Sequence, residues 1–124
     1  MIDRNAYPLD RRSSYRFKIP EGQVSYKLFG GGSARTALMD MSKSSVRFEI
    51  RHKVNTGEMV EIILSVPNKE KISAKGHVVW VSNSKPPFYA VVQLLPFGTD
   101  KRYNSLQCLE QLKELEQEYL YKIV

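Results

Sequence analysis

The chain has 124 residues, of which 42% are hydrophobic and 26% charged, as in one globular domain and unlike disordered, collagen-like or coiled-coil proteins. One cysteine excludes an internal disulfide framework. No apolar run approaches the roughly 20 residues that span a bilayer and the first residues lack an apolar signal core, so we expect a cytoplasmic protein without membrane insertion. The net charge of +6 arises in residues 1–53, which hold eleven basic and five acidic side chains. This excess favours an anionic partner or a basic solvated surface.

Alternation of apolar and polar residues dominates the first three quarters of the chain and predicts short β-strands. Val46, Phe48 and Ile50, for example, are separated by charged residues. Gly76 lies inside the longest such segment, which indicates a bulge, a barrel corner or a close approach of two backbones. Six or seven short strands are predicted from this pattern, in residues 15–19, 23–29, 37–39, 46–50, 60–66, 72–81 and 88–95.

The pattern changes near the C-terminus. Leucines recur at helical spacing from Leu106 onward between strong helix formers, and this predicts one helix with Asn104 or Ser105 as its N-cap. Strands followed by a single helix indicate an antiparallel barrel or sandwich on which the helix lies.

The predicted helix has a wide apolar stripe, formed by Cys108, Leu112, Leu115 and Tyr119. Two uses of it stay open. Either the whole stripe packs on the barrel, or part of it forms a homodimer seam or docks on another protein.

Few side chains suited to catalysis or metal binding are present. His52 and His77 are the only histidines, and we expect structural roles for His77 on its strand and for Cys108 on the helix. No nucleophile elbow, phosphate-binding Walker loop or zinc-protease motif occurs. We therefore predict that the protein is not an enzyme and uses neither a metal nor a cofactor.

Two clusters of chemistry-bearing residues remain. Arg11, Arg12 and Arg16 lie close together, and arginine both pairs with phosphate at two points and stacks on aromatic rings. Asp40 and Ser42 precede a strand, where a carboxylate can accept N–H bonds from a guanine edge and a serine can donate to phosphate. Taken singly, the clusters are also explained by a solvated basic arm and by turn chemistry.

The order of these motifs resembles that of the PilZ domain family. In that family an Arg-x-x-x-Arg loop precedes an Asp/Asn-x-Ser-x-x-Gly turn and a later Gly-x-Val-x-Trp-like strand. The resemblance implies an all-β fold, a six-stranded antiparallel β-barrel, here with a C-terminal α-helix. The segments that match these motifs are residues 12–16, 40–45, 75–80 and 88–94. We expect one domain over residues 1–124, with an N-terminal arm at 1–11, the barrel at 12–97 and the helix at 104–122.

The family's ligand is cyclic di-GMP, a bacterial second messenger. By position, the resemblance implies that Arg12 and Arg16 clamp its phosphates and stack on its guanines, and that Arg11 adds a further contact. It implies that Asp40 and Ser42 contact a guanine edge and the ligand backbone.

Two positions depart from the family pattern. Ser45 stands where the second motif has glycine, and by that position we count it among the expected ligand-binding residues. It carries a steric cost if the backbone there must adopt a positive φ, and none if the backbone is extended. Val91 stands where a glycine is usual in the last strand.

These features lead to a hypothesis, a cyclic di-GMP receptor that signals to a protein partner. The alternative is a PilZ scaffold that binds no nucleotide and works only through protein contacts. Ser45 favours this alternative, whereas the intact arginines favour the receptor. A barrel that binds single-stranded nucleic acid ranks third, because no RNP-type motif occurs and the basic residues gather near one loop. We therefore expect neither DNA nor RNA as a partner.

Overall fold

The computed structural model describes residues 15–82 and 85–120, so the expectations for Arg11 and Arg12 lie outside the described residues. The elements are β1 (Gln23–Leu28), β2 (Ser33–Met41), β3 (Ser45–Ile50), β4 (Met59–Ser65), β5 (Ile72–Ser82), β6 (Phe88–Leu94) and α1 (Leu106–Leu115). The strands pair antiparallel and close into a barrel in the order β1-β2-β3-β6-β5-β4. The predicted six-stranded antiparallel β-barrel with a C-terminal α-helix is thus confirmed.

The segment at residues 15–19, predicted as a strand, forms a single bridge instead. Phe17 pairs with Met41 at the end of β2, and their two backbone hydrogen bonds measure 2.8 and 3.0 Å. Phe17 and Ile19 are each 3% exposed and belong to the core. The alternation of this segment therefore reflects burial of one face without a continuous ladder.

Inward-facing side chains fill the barrel. In β4, Val60, Ile62 and Leu64 are buried, whereas Glu61 between them is exposed. Each buried aliphatic side chain of this size contributes about 1.5–3 kcal/mol relative to its exposed state. The period-two pattern of the sequence is therefore the pattern of the core.

Gly76 lies where β6 passes too close to β5 for a side chain. A Cβ atom at this position would lie 2.2 Å from the carbonyl oxygen of Gln93 and 2.8 Å from Cγ1 of Val92. Of the three interpretations of this glycine, the close backbone approach is the one realised.

Two β-bulges interrupt the in-and-out alternation of the barrel. One lies in β2 between Leu38 and Asp40, and the other in β5 between Val78 and Trp80. A bulge adds one residue to its strand, so the residues that follow change face. Asp40 and Trp80, which regular alternation would place inside, consequently face outward.

The helix α1 packs against the barrel. Its N-cap is Ser105, whose Oγ accepts a hydrogen bond from the backbone N–H of Cys108 at 3.0 Å. Cys108, Leu112 and Leu115 are each at most 2% exposed, so these members of the apolar stripe lie in the core. A π-helical turn, Glu116–Leu120, continues the helix.

Asn104, the other N-cap candidate, ties the preceding loop to the sheet. Its Oδ1 accepts from the backbone N–H of Lys75 at 2.8 Å. Its Nδ2 donates to the carbonyl oxygens of Lys75 and Leu95 at 2.9 and 3.0 Å. The buried amide thus prolongs the backbone ladder beyond the end of β6 and sets where α1 begins.

Substitution of Gly76 tests the close approach. We expect Gly76→Ala to lower the free energy of unfolding by about 1–3 kcal/mol or more, because the new methyl group meets a backbone carbonyl. Gly30→Ala is the matched control, since its Cβ would meet only Oε2 of Glu58 at 3.5 Å. Urea unfolding followed by circular dichroism measures both variants, and equal stability of Gly76→Ala and the parent protein would contradict the expectation.

Candidate functional site

The outward turn of Asp40 brings its carboxylate between two arginines. Arg16 Nε donates to Oδ1 of Asp40 at 2.7 Å, and Arg47 Nη2 donates to Oδ2. The Asp40 side chain is 10% exposed, whereas each arginine side chain is about 40% exposed. The cluster therefore has a shielded carboxylate at its centre, a local excess of one positive charge, and guanidinium groups that solvent can reach.

Arg16 joins the two sequence motifs. Besides its bond to Asp40, its Nη1 donates to Oγ of Ser45 at 2.5 Å and its Nη2 donates to the carbonyl oxygen of Asp40 at 3.4 Å. The structure therefore brings Arg16, Asp40 and Ser45 into direct contact.

Ser42 has a different position from the other predicted site residues. It is 2% exposed, and its Oγ accepts from the backbone N–H groups of Ser44 and Ser45 at 3.1 and 3.2 Å. Its own N–H donates to the carbonyl oxygen of Ser45 at 2.8 Å. In the structure described, Ser42 thus holds the turn between β2 and β3, which places Ser45 beside Arg16.

Ser45 occupies the position of the family's glycine without backbone strain. It begins β3 in extended conformation, and among the described non-glycine residues only Glu21 and Asn68 have positive φ. Its hydroxyl instead supplies an acceptor for Arg16 that a glycine would lack. The steric cost considered for Ser45 does not arise.

The site extends across four strands as one row of outward side chains. Asp40 lies opposite Arg47, Arg47 opposite Val91, and Val91 opposite Trp80. Residues directly opposite one another share a face of the sheet. Three strand spacings of about 4.8 Å give a row of about 14 Å. Trp80, 48% exposed, lies at one end of it and Asp40 at the other. We refer to these four residues as the outer row.

The sequence pattern did not predict that Arg47 belongs to the site or that Trp80 lies on the outside of the barrel beside it. Arg47 was one of several charged residues on the outward side of a strand, and no local signal distinguishes it from Glu49 or Arg51. Trp80 follows a bulge that alternation alone does not reveal. Only the pairing of the strands brings them into one row.

The two histidines and the cysteine lie in the sheet, in a side-chain hydrogen bond or in the core. His52 Nδ1 forms a hydrogen bond of 2.7 Å with the hydroxyl of Tyr26, and His77 lies in the ladder between Met59 and Gln93. Burial raises the pKa of the Cys108 thiol to about 11. Within residues 15–82 and 85–120, no three histidine, cysteine or acidic side chains are grouped to hold a metal ion. No helix in the same part of the chain is long and apolar enough to span a membrane.

The thiol of Cys108 should be unreactive in the folded protein. At pH 8 the raised pKa leaves the buried thiol protonated, so we expect maleimide to modify it at least about 100-fold more slowly than a free cysteine. The protein unfolded in urea is the control and should react at the ordinary rate. Mass spectrometry over time measures both, and equal rates would show that the thiol is accessible and not tied to the core.

Comparisons with known proteins agree with this fold. A model of the PilZ domain family matches residues 10–114. The structure described as the PilZ domain with c-di-GMP of YcgR from Escherichia coli is similar, with a TM-score of 0.68 and 14% identity, over 91% of this chain and 94% of that one. The inhibitor of motility (MotI/DgrA) of Bacillus subtilis gives a TM-score of 0.59 and 13% identity over 87% of this chain, which spans 52% of that protein. The sequence matches none of the curated proteins.

The fold and the outer row define a small β-barrel domain with an arginine and aspartate cluster on its outside. The family match covers most of the chain, and the chain belongs to the PilZ domain family. At 13–14% identity the two structural similarities show the fold alone.

Proposed function

We propose that this protein is a cyclic di-GMP receptor that binds its ligand over the outer row and signals to a protein partner, without catalysis. The observation that carries the proposal is the contact of Arg16 with both Asp40 and Ser45, which joins the two motifs into one site. The YcgR structure, described as a PilZ domain with c-di-GMP, supports the choice of ligand.

The chemistry of the ligand suits the site. Cyclic di-GMP has two phosphates and two guanines, and Arg16 offers a guanidinium for two-point contact with a phosphate. Asp40 offers carboxylate oxygens to the N–H groups of a guanine edge. Trp80 offers an exposed ring at the far end of the row, on which a base can stack. By sequence, Arg12 and Arg11 complete the phosphate and stacking contacts, and Ser42 and Ser45 shape the turn beneath the ligand.

A scaffold without nucleotide is the second candidate, and one observation favours it. Val91 lies in the centre of the outer row, where the family usually has glycine, so a branched side chain stands at a position that the family usually leaves without one. In this case the outer row would serve as a surface for protein contacts. A homodimer through α1 stays a prediction, which light scattering of the intact protein can check.

Calorimetric titration with cyclic di-GMP tests the proposed receptor. We expect binding by the parent protein and binding at least about tenfold weaker in Arg16→Ala, because a charge-assisted bond contributes about 1.5–3 kcal/mol. Lys18→Ala is the matched control, since it removes the same charge from an exposed position two residues away. Trp80 is the single tryptophan, so a change in its fluorescence reports a ligand on the outer row.

The outcomes separate the two candidates. An absence of binding by the parent protein would leave the nucleotide-free scaffold as the function. Equal losses in Arg16→Ala and Lys18→Ala would mean that the protein attracts anions without using this site.

The Ser45 position has its own test. Because Ser45 is extended, we expect Ser45→Gly to leave the affinity within about threefold. We also expect it to lower stability by about 1 kcal/mol, since glycine is more flexible in the unfolded chain and Arg16 loses an acceptor. Calorimetry and urea unfolding measure the two effects. An affinity more than tenfold tighter would show that the serine opposes the ligand.

A further inference from the structure

The two arginines at Asp40 are anchored differently. Arg16 lies on the segment that joins the barrel through the single bridge of Phe17 to Met41. Arg47 lies within β3, whose backbone pairs with β2 on one side and with β6 on the other. The backbone that carries Arg47 is therefore held by strands on both sides, whereas the backbone that carries Arg16 belongs to a segment with a single bridge.

The two arginines also differ in the number of hydrogen bonds that their guanidinium groups donate. Arg16 has three acceptors, namely Oδ1 and the carbonyl oxygen of Asp40 and Oγ of Ser45, which lie at the end of β2 and the start of β3. Arg47 Nη2 bonds only Oδ2 of Asp40 among the described residues, and its Nε is buried without a hydrogen-bond partner there. A buried unpaired donor is unfavourable. Arg47 thus leaves one of its own donors without a partner in the described part of the chain while its Nη2 bonds the Asp40 carboxylate.

From this asymmetry we propose that Arg47 is a positioning residue, which holds the Asp40 carboxylate toward the guanine edge while Arg16 leaves it to bind phosphate. The proposal rests on the proposed function and adds a residue outside the two sequence motifs. A shielded carboxylate that loses its only cation is strongly destabilised. Arg16 can move to the ligand because Arg47 remains at Oδ2.

The role has a consequence for specificity. Guanine presents two N–H donors on its Watson–Crick edge to a carboxylate, whereas adenine presents a ring nitrogen acceptor beside its amino group. A correctly held Asp40 therefore favours cyclic di-GMP over cyclic di-AMP, and phosphate contacts do not distinguish the two. Loss of Arg47 should lower affinity for cyclic di-GMP and leave any weak affinity for cyclic di-AMP nearly unchanged.

A double-mutant cycle on ligand affinity tests the proposal. By calorimetry, Arg47→Met should weaken cyclic di-GMP binding by about tenfold or more in the parent protein, as expected for loss of a charge-assisted bond. In the Asp40→Ala background the same change should alter affinity by no more than about twofold, because Arg47 acts through Asp40. Arg47→Lys should restore part of the affinity, since it returns a cation without the planar fork.

Control variants distinguish a positioning role from a direct contact between Arg47 and phosphate. Arg51→Met removes the same charge from a side chain that is 62% exposed and whose Nε lies 3.9 Å from Oε2 of Glu49. This variant should change the affinity little. Urea unfolding establishes that each variant is folded. An equal effect of Arg47→Met with and without Asp40, or an equal loss for both dinucleotides, would overturn the proposal in favour of the direct contact.

The result for the parent protein distinguishes the two levels of the proposal. If the parent protein binds no cyclic di-GMP, the proposed function fails and the role of Arg47 fails with it. If it binds and Arg47→Met binds equally well, the proposed function stands and only the positioning role is overturned.

Discussion

Every strand of a closed barrel has to alternate its side chains between the interior and solvent, and the placement of the site depends on this constraint. Asp40 and Trp80 stand at positions where regular alternation would put a carboxylate and an indole among aliphatic side chains. A bulge immediately before each residue turns it outward. The two bulges lie on β2 and β5, which flank the central pair of β3 and β6. The core stays apolar and the outer row becomes continuous.

The electrostatics of the site follow from that placement. Asp40 alone would be a poor neighbour for a phosphate, but with Arg16 and Arg47 on its two oxygens the cluster is positive. The carboxylate also keeps the two guanidinium groups close together, which their mutual repulsion would otherwise oppose. Two partly exposed cations are thus held beside one another on the outside of the barrel. Two of the eleven basic residues in the first part of the sequence, Arg16 and Arg47, meet at this cluster, and a positive cluster suits an anionic partner.

The sequence was informative where local pattern and fold agree. Alternation predicted the β4 strand with its inward Val60 and Ile62, and helical spacing predicted α1 with Ser105 among its N-cap candidates. It overestimated the pairing of the segment around Phe17, because burial of one face produces the same alternation as a ladder does.

The site was predictable in part. Motif order indicated Arg16, Asp40 and Ser45, which are in contact. Arg47 and the surface position of Trp80 depend on strand register and on bulges, and both are set by distant parts of the chain. The extended backbone of Ser45 could not be predicted either, because a glycine at the matching position of the family is compatible with both a positive φ and an extended strand.

Closure of the barrel also limits how other proteins can attach to this one. In an open sheet the outermost strands present unpaired N–H and C=O groups, which an extended peptide can join as an added strand. Each of the six strands described here has a neighbour on both sides, so none of them is an edge strand over its whole length. Closure therefore favours attachment to the barrel wall through side-chain complementarity, which single surface substitutions can redirect. A domain of this kind can exchange partners through surface changes while its backbone, and the site it supports, stays the same.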